Sequence, residues 1–510
     1  MPRLALPETW DEETDVVVIG CGYAGAVAAL SAHDAGARVI LIEKMREPGG
    51  ISVCSAGGVR VADDADAAFD YLRETNGATT PDPVLRTLAN GMTEVEAFVR
   101  ALGSESSAVI SRRKAAGNYP FAGHRTFGFV YVDDIPGIDP ARDYPHVRGS
   151  KPGALLFRVL QDNLRRRSIQ VRTETPARRL FADARGVVRG VQIESDGRLR
   201  SIHAKRGVIL ACGGFEASPE MQAQFWQGKP VLSAAVRGNT GDGVRMAQEL
   251  GADLWHMWHY HGSYGFQHPD AAYPYGVRTK RLPDWLPGEG PRGDVVMTWI
   301  VVDRAGRRFM NEYPPYLQDT GARPLEPYDA NHQRYDRIPC WLITDEAGRK
   351  RYPLGRPTYN DPAVSFDWSP DNAAEIKLGI VQRAESAAEL ARLMNVNAAV
   401  LADTIARWNQ ACARENDPEF GRPASSMMAL GGPPLYAARL WPVVSNTQGG
   451  PRHDERQRVV DAFGAPIPRL YAAGELGSVF GHLYMSGGNL AECFVGGRIA
   501  GREAAAESPQ

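Results

Sequence analysis

The hydrophobic pattern changes period twice near the start of the chain. Residues 14–45 read TDVVVIGCGYAGAVAALSAHDAGARVILIEKM, in which the β-branched run DVVVIG gives way to the small-residue stretch AGAVAALSAHDAG and then to ARVILIE. Unbroken apolar runs of this length predict strands buried on both faces, and the stretch between them predicts a closely packed helix. Two later runs repeat the strand pattern, RGVILACGGF at 206–215 and IPRLYAAGEL at 467–476, each ending in small residues. The intervening AAELARLMNVNAAVLADTIARWNQACA is helical, whereas HPDAAYPYGVRTKRLPDWLPGEGPRG and RYPLGRPTYNDPAVSFDWSPDN are irregular and rich in proline and aromatic residues. Strands alternating with helices predict an α/β chain with a parallel sheet.

The first strand-to-helix turn carries Gly20, Gly22 and Gly25 as G-x-G-x-x-G, with Tyr23 and Ala24 between the last two. In this frame the first glycine permits the turn, the second lets backbone approach a pyrophosphate, and the third lets the helix pack on the strand. Glu43, followed by Lys44, ends the second strand where an acidic side chain would accept the hydroxyls of an adenosine ribose. The placement near the N-terminus favours FAD over NAD, with later segments completing the site. One is the polar loop EPGGISVCSAGG, which offers Gly50, Ile51, Ser52, Ser55, Ala56, Gly57 and Gly58. The others are the strand ends at Ala211, Gly213 and Gly214 and at Gly474 and Glu475.

Composition narrows the class. The chain has 510 residues, 43% hydrophobic and 23% charged, enough for two or three lobes with substantial cores. A formal net charge of −2 gives no basic field to recruit nucleic acid. Six scattered cysteines form no zinc pattern and read as reduced thiols, and no apolar run reaches membrane-spanning length, so a cytoplasmic protein without a transmembrane segment is expected. His256, His259 and His261 in WHMWHYHGSYG invite a metal reading, but no carboxylate or cysteine stands at ligand spacing, and no metal is expected. A pocket-lining aromatic strand, with His259 and His261 on one face, is the expected role.

With GCGYAG, LIEKM, PGGISVCSAGG, ILACGGF, GNTGDGVRMAQELGA, RRFMNE, LYAAGEL and SGGNLAE in order, the chain resembles the flavoprotein family of fumarate reductases and 3-ketosteroid dehydrogenases. The resemblance implies a Rossmann-like FAD domain at 1–265 and 441–510, with an α+β catalytic cap inserted at 266–440. It places Asp242 at a helix start beside the cofactor and Glu475 near the ribityl chain. Gly487, Gly488, Asn489 and Leu490 would face the pyrimidine end of the flavin, at a helix N-terminus whose partial positive charge suits an electron-rich edge. Relatives with covalent FAD carry a histidine in the loop matching GGISVCSAGG, and its absence here implies non-covalent FAD.

Departures from the fumarate reductase pattern point to the substrate. Where those enzymes have an arginine two positions before GGN, this chain has Met485, and their HHTMGG is SNTQGG, with Ser445 and Asn446. Their cap arginine acid, four residues after the Glu of NE, is Tyr316, with Tyr313 nearby as the reserve candidate. The tail YMSGGN most resembles the 3-oxo-5α-steroid 4-dehydrogenase branch, which implies Tyr316, Tyr484 and Ser486 as the catalytic set. One phenol, preferably Tyr484 with a backbone N–H near Gly487–Gly488, would hold a ketone oxygen and stabilise developing enolate charge. Tyr316, assisted by Ser486, would take the α proton, and the roles of the tyrosines are exchangeable. Ser486 is also a candidate helix cap. Tyr119 and Phe121, in SRRKAAGNYPFAGHRTFG, are candidate wall residues of an access loop, joined as substrate-binding candidates by His259, His261, Tyr313, Met485, Gly487 and Gly488. The expected substrate is a cyclic ketone, first a 3-oxo-5α-steroid and alternatively a smaller ring such as 4-oxocyclohexanecarboxylate, with an enoate reductase third and an unidentified electron acceptor.

Overall fold

The protein is described by a computed structural model covering residues 4–510, so residues 1–3 of the first expected segment lie outside the described residues. Two eight-stranded sheets organise the chain. The main path of the first runs in the order Arg458–Val460, Pro466–Ala472, Arg198–Leu210, Glu12–Ile19, Val39–Ile42, Val171–Arg172, with Val188–Ser195 paired to Arg198–Leu210 and Ala177–Ala182 paired to Val188–Ser195. Its central pairings are parallel, and Val16, Val17 and Val18 are fully buried, as an uninterrupted apolar strand requires.

One face of this sheet is covered by the helix Tyr23–Asp34, against which the C-terminal helix Gly488–Ala506 packs. Small residues make that approach possible: a Cβ at Gly501 would stand 2.4 Å from the Ala28 carbonyl oxygen. Gly497 and Gly501 of GGRIAG in the tail therefore serve helix packing, apart from any cofactor contact.

The main path of the second sheet runs Ile300–Val302, Cys340–Asp345, Leu435–Thr447, Tyr260–Gln267, Gly276–Thr279, Gly355–Arg356, with Leu232–Ser233 and Val381–Ala384 also paired to Leu435–Thr447. Its backbone is the 13-residue strand Leu435–Thr447, whose alternate residues enter two different cores: Leu435 and Ala437 on one face, Tyr436, Ala438 and Leu440 on the other. The same strand continues to Ser445, Asn446 and Thr447. The boundaries expected at 265/266 and 440/441 both fall inside strands of this sheet, so two continuous strands run from one expected unit into the other.

The loop bearing Tyr316 is anchored from below. Glu312, fully buried, accepts from Val301 N at 3.1 Å and from Arg308 Nε and Nη2 at 2.9 and 2.7 Å, while Arg308 also reaches Asp417. The glutamate of RRFMNE is thus a structural ion-pair partner, and a buried pair with all its hydrogen bonds made holds the following turn in place. Among the described residues no helix is long and apolar enough to cross a membrane.

Candidate active site

A cavity of about 970 Å³ runs from the first glycine turn to the second sheet, at the upper end of small-molecule sites. Gly20 adopts φ +102°, and a Cβ there would lie 2.4 Å from the Ala211 carbonyl oxygen, so only glycine lets these two strand ends meet. Glu43 accepts from Cys21 N and Met45 N, both at 2.9 Å, and burial raises its pKa. Lys44 Nζ donates to Thr240 Oγ1 at 2.8 Å and Asp242 Oδ2 at 2.7 Å, tying the second strand to the helix Asp242–Glu249. Glu475 accepts from Thr447 N at 2.8 Å; burial pushes its pKa up to about 8.

At the other end the cavity meets Tyr316, Tyr484, Ser486 and His261. The Tyr316 and Tyr484 ring centroids lie 6.4 Å apart with their planes inclined by 26°, and the His261 ring is 4.3 Å from that of Tyr484. The Tyr316 hydroxyl is 3.3 Å from His261 Nε2. Burial raises the pKa of both phenols, so both are neutral at physiological pH. Tyr484 is held from behind by Asp319, which accepts its N–H at 3.1 Å, is in contact with His259 Nε2 at 3.3 Å, and accepts from the Tyr119 hydroxyl. These contacts, with His259 first, lower the carboxyl pKa of Asp319 against the opposing effect of burial.

Arginines form the remaining wall. Arg60 is 1% exposed, donates to the carbonyls of Ala115 and Ala116 at 3.1 and 3.0 Å, and lies 4.2 Å over the Phe129 ring. Arg278, opposite Gly265 in the sheet, reaches past the middle strand to donate to Ser445 Oγ at 2.9 Å and to Thr358 Oγ1 at 3.0 Å. Burial, with Arg356 and Arg281 nearby, pushes its guanidinium down to about 9. The Nε atoms of Arg60 and Arg278 are buried without a partner. Arg281 is paired with Asp284 at 2.9 Å.

The family described as FAD binding domain matches residues 15–490. The chain belongs to this family. A fumarate reductase (cytochrome) of Shewanella frigidimarina is 28% identical over 509 residues, covering 99% of this chain and 79% of the relative. A 3-oxosteroid 1-dehydrogenase of Mycobacterium tuberculosis is 28% identical over 579 residues, covering 96% and 98%. The fold matches the 3-ketosteroid Δ1-dehydrogenase of Sterolibacterium denitrificans, solved with 1,4-androstadiene-3,17-dione, at a TM-score of 0.80 and 22% identity, covering 97% of this chain and all of that one. The flavoprotein is an FAD-dependent oxidoreductase of the group that includes ketosteroid dehydrogenases and fumarate reductases.

The cavity residues fit FAD. Gly20, Gly22, Tyr23, Ala24, Glu43, Lys44, Gly50, Ile51, Ser52, Ser55, Ala56, Gly58, Ala211, Gly213, Asp242, Glu475, Asn489 and Leu490 all line it. Five expected cofactor contacts do not: Gly25, Gly57, Gly214, Gly474 and Gly488, the last of which faces Phe480. Gly25 seats the helix, since a Cβ would be 1.8 Å from the Gly20 oxygen; Gly57 backs onto Pro152, Gly214 onto Thr447, and Gly474 onto Ala24. These glycines give room to neighbouring protein atoms instead of ligand.

Several expected substrate contacts also move out of the cavity lining. Met485 is 1% exposed in the core, and Tyr313 is buried with its hydroxyl donating to the Pro283 carbonyl. His259 bridges the Phe480 carbonyl and Asp319. Tyr119 acts behind Asp319, and Phe121 packs at the edge of the core. Gly488 faces Phe480, while Gly487 remains at the cavity. Ser486 does not cap the tail helix: Gly487 takes the N-cap at φ +74° with no side-chain cap, and Ser486 N donates to Asn118 Oδ1 at 2.9 Å. The three histidines diverge, and among the described residues no group of metal-binding side chains converges.

Arg60, Arg278, Asn118 and Asp319 were not singled out from the sequence. The basic cluster VRTKRL, set in a proline-rich stretch, is the one local signal that could have pointed to Arg278 and Arg281.

Proposed function

We propose that the protein oxidises a small alicyclic keto acid, introducing a C=C bond next to the ring ketone, with 4-oxocyclohexanecarboxylate as the model substrate. The observation that carries this reading is Arg278, a guanidinium with two hydroxyl partners and no carboxylate, in the same part of the cavity as Tyr316, Tyr484 and His261. A cation so enclosed favours an anionic ligand, because a carboxylate completes its bonds and offsets its desolvation. The residues that bind anions in fumarate reductases are replaced at Met485, Ser445 and Asn446, yet Ser445 holds Arg278, so the charge enters from another strand.

Tyr484, beside the N-terminus of the helix Gly488–Ala506, orients the ketone and stabilises enolate charge as it develops. Tyr316 takes the α proton. Bound FAD supplies the hydride acceptor for the β carbon. Arg278 sets the ring's position, and the enclosed walls exclude water from the reacting carbons. Steroid dehydrogenation has the same tyrosine pair behind it and the M. tuberculosis relative beside it. A steroid would have to set its hydrocarbon rings against Arg60, Arg278 and Arg281, which is why the smaller anionic ring is preferred.

The test is anaerobic mixing of the yellow holoenzyme with 4-oxocyclohexanecarboxylate, its methyl ester and a 5α-3-ketosteroid. Bleaching by the acid at far lower concentration than by the ester is expected. Bleaching by the steroid alone would overturn the keto-acid reading, and reoxidation only by an enoate would make the enzyme a reductase.

A further inference from the structure

Tyr316 can accept a proton only if its own can leave, because burial and the neighbouring Tyr484 keep it a neutral phenol. Its hydroxyl has one side-chain partner, His261 Nε2, at 3.3 Å. Whether that nitrogen can accept depends on which ring nitrogen carries hydrogen, and the surrounding amides decide this.

His261 Nδ1 is 3.2 Å from Asn446 Oδ1. The Asn446 amide cannot be turned over, because its Nδ2 donates to Asn489 Oδ1 at 3.0 Å and to the Thr447 carbonyl at 3.2 Å. Reversal would set oxygen against both of those acceptors. Asn489 is oriented in turn: its Nδ2 donates to Glu492 Oε2 at 2.7 Å, Gln448 Oε1 at 2.9 Å and Ser478 Oγ at 3.0 Å. Glu492 is fixed by Val479 N at 2.7 Å and by the Ser478 hydroxyl at 2.8 Å. A chain of oriented donors thus runs from a buried carboxylate through two asparagines to His261, and ends by placing hydrogen on Nδ1 and a lone pair on Nε2.

We propose that His261 is the proton acceptor behind Tyr316, and that Asn446, oriented through Asn489 by Glu492, is the positioning residue that holds its imidazole in the accepting tautomer. In the step, the substrate α C–H bond breaks and its proton passes to the Tyr316 oxygen as the Tyr316 hydroxyl proton passes to His261 Nε2. The C–H electron pair becomes the new π bond as a hydride leaves the β carbon for the FAD of this oxidoreductase, so the substrate loses two electrons and the cofactor gains them. The imidazolium returns its proton to solvent as product leaves.

The charged groups around His261 fit this transient role. Asp319 favours the imidazolium, whereas burial, Arg278 and Arg281 oppose it. Burial, the largest effect, brings the His261 pKa down to about 3, so the resting ring is neutral and carries the Tyr316 proton only transiently. On the keto-acid reading, a bound carboxylate cancels the charge on Arg278 and makes His261 more basic only when substrate is present.

Holoenzyme labelled with 15N-histidine, assigned by comparison with His261→Gln, tests the tautomer without turnover. A protonated Nδ1 and a lone-pair Nε2 are expected in the wild type, lost to a tautomer mixture in Asn446→Leu. Steady-state kinetics, on whichever ketone bleaches the flavin, should show kcat of His261→Gln lowered 10- to 100-fold with KM within threefold, unchanged FAD content, and a pH profile shifted to higher pH. A protonated Nε2 in the wild-type spectrum, or a His261→Gln kcat within twofold of wild type, would overturn the proposal. Failure of the keto acid to bleach the flavin would overturn the substrate reading alone, since the tautomer spectrum does not depend on it.

Discussion

Arg278→Met separates the cost of a buried cation from its use. The wild-type side chain has two hydroxyl acceptors, no carboxylate among the charges that influence it, and a buried unpartnered Nε. Burial pushes the guanidinium from 12.5 down to about 9, which at full desolvation corresponds to about 5 kcal/mol. One face opens on the cavity, so screening leaves roughly 1–3 kcal/mol. Because the folded pKa lies below the unfolded one, the fold disfavours the charged form. The penalty is therefore complete at every pH below about 9 and fades only as pH rises from there toward 12.5. Methionine keeps the length and removes the charge, while the two charge-assisted hydrogen bonds to Ser445 and Thr358 are lost at about 1.5 kcal/mol each. The relieved penalty and the lost bonds nearly cancel, so the apoprotein should lie within about 2 kcal/mol of wild type at pH 7. The bound keto acid should lose about 2–5 kcal/mol, a fall in apparent affinity of roughly 30- to 4000-fold. Thermal unfolding of the apoprotein and anaerobic flavin titration with the acid and its methyl ester measure the two effects. An apoprotein melting several degrees lower, or equal losses for acid and ester, would refute the reasoning.

Asp319→Ala removes the acceptor shared by Tyr484 N, Tyr119 and His259; unfolding measurements should show a loss of about 3–5 kcal/mol, with Asp319→Asn retaining roughly half. Tyr316→Phe should lower kcat by about 10²- to 10⁴-fold while leaving FAD content unchanged, as read by the flavin absorbance of the purified protein. Glu475, with its pKa raised from 4.5 to about 8, disfavours the carboxylate in the fold, so it removes stability as pH rises across that interval. Glu475→Gln should therefore gain stability over wild type at pH 8–9 and not at pH 5, and a flat difference across that range in apoprotein melts would contradict the assignment.

The chain's local chemistry was legible where one segment makes the whole feature. Gly20 and Gly25 stand at a strand-to-helix turn whose steric demands are the same in any chain of this pattern, and both positions are as crowded as the motif requires. Tyr316, Tyr484 and Ser486 were found because their segments are marked by neighbouring motifs, and the structure brings all three to one cavity. Met485, Tyr313 and His259 were misplaced as cavity-lining residues because sequence spacing does not tell which side of an irregular turn faces a ligand; each is instead turned into protein.

By itself the sequence determined the parallel strands, the dinucleotide turn and the acidic strand end, because buried β-branched runs and glycine geometry act over a few residues. Only the tertiary structure decided the charge and the proton path of the substrate end. Arg278 meets Ser445 because three strands align, and His261 meets Asn446 and Tyr316 from segments far apart in the chain. Such pairings depend on sheet register and on which buried donor finds which acceptor, and those are set by the packing of the whole chain.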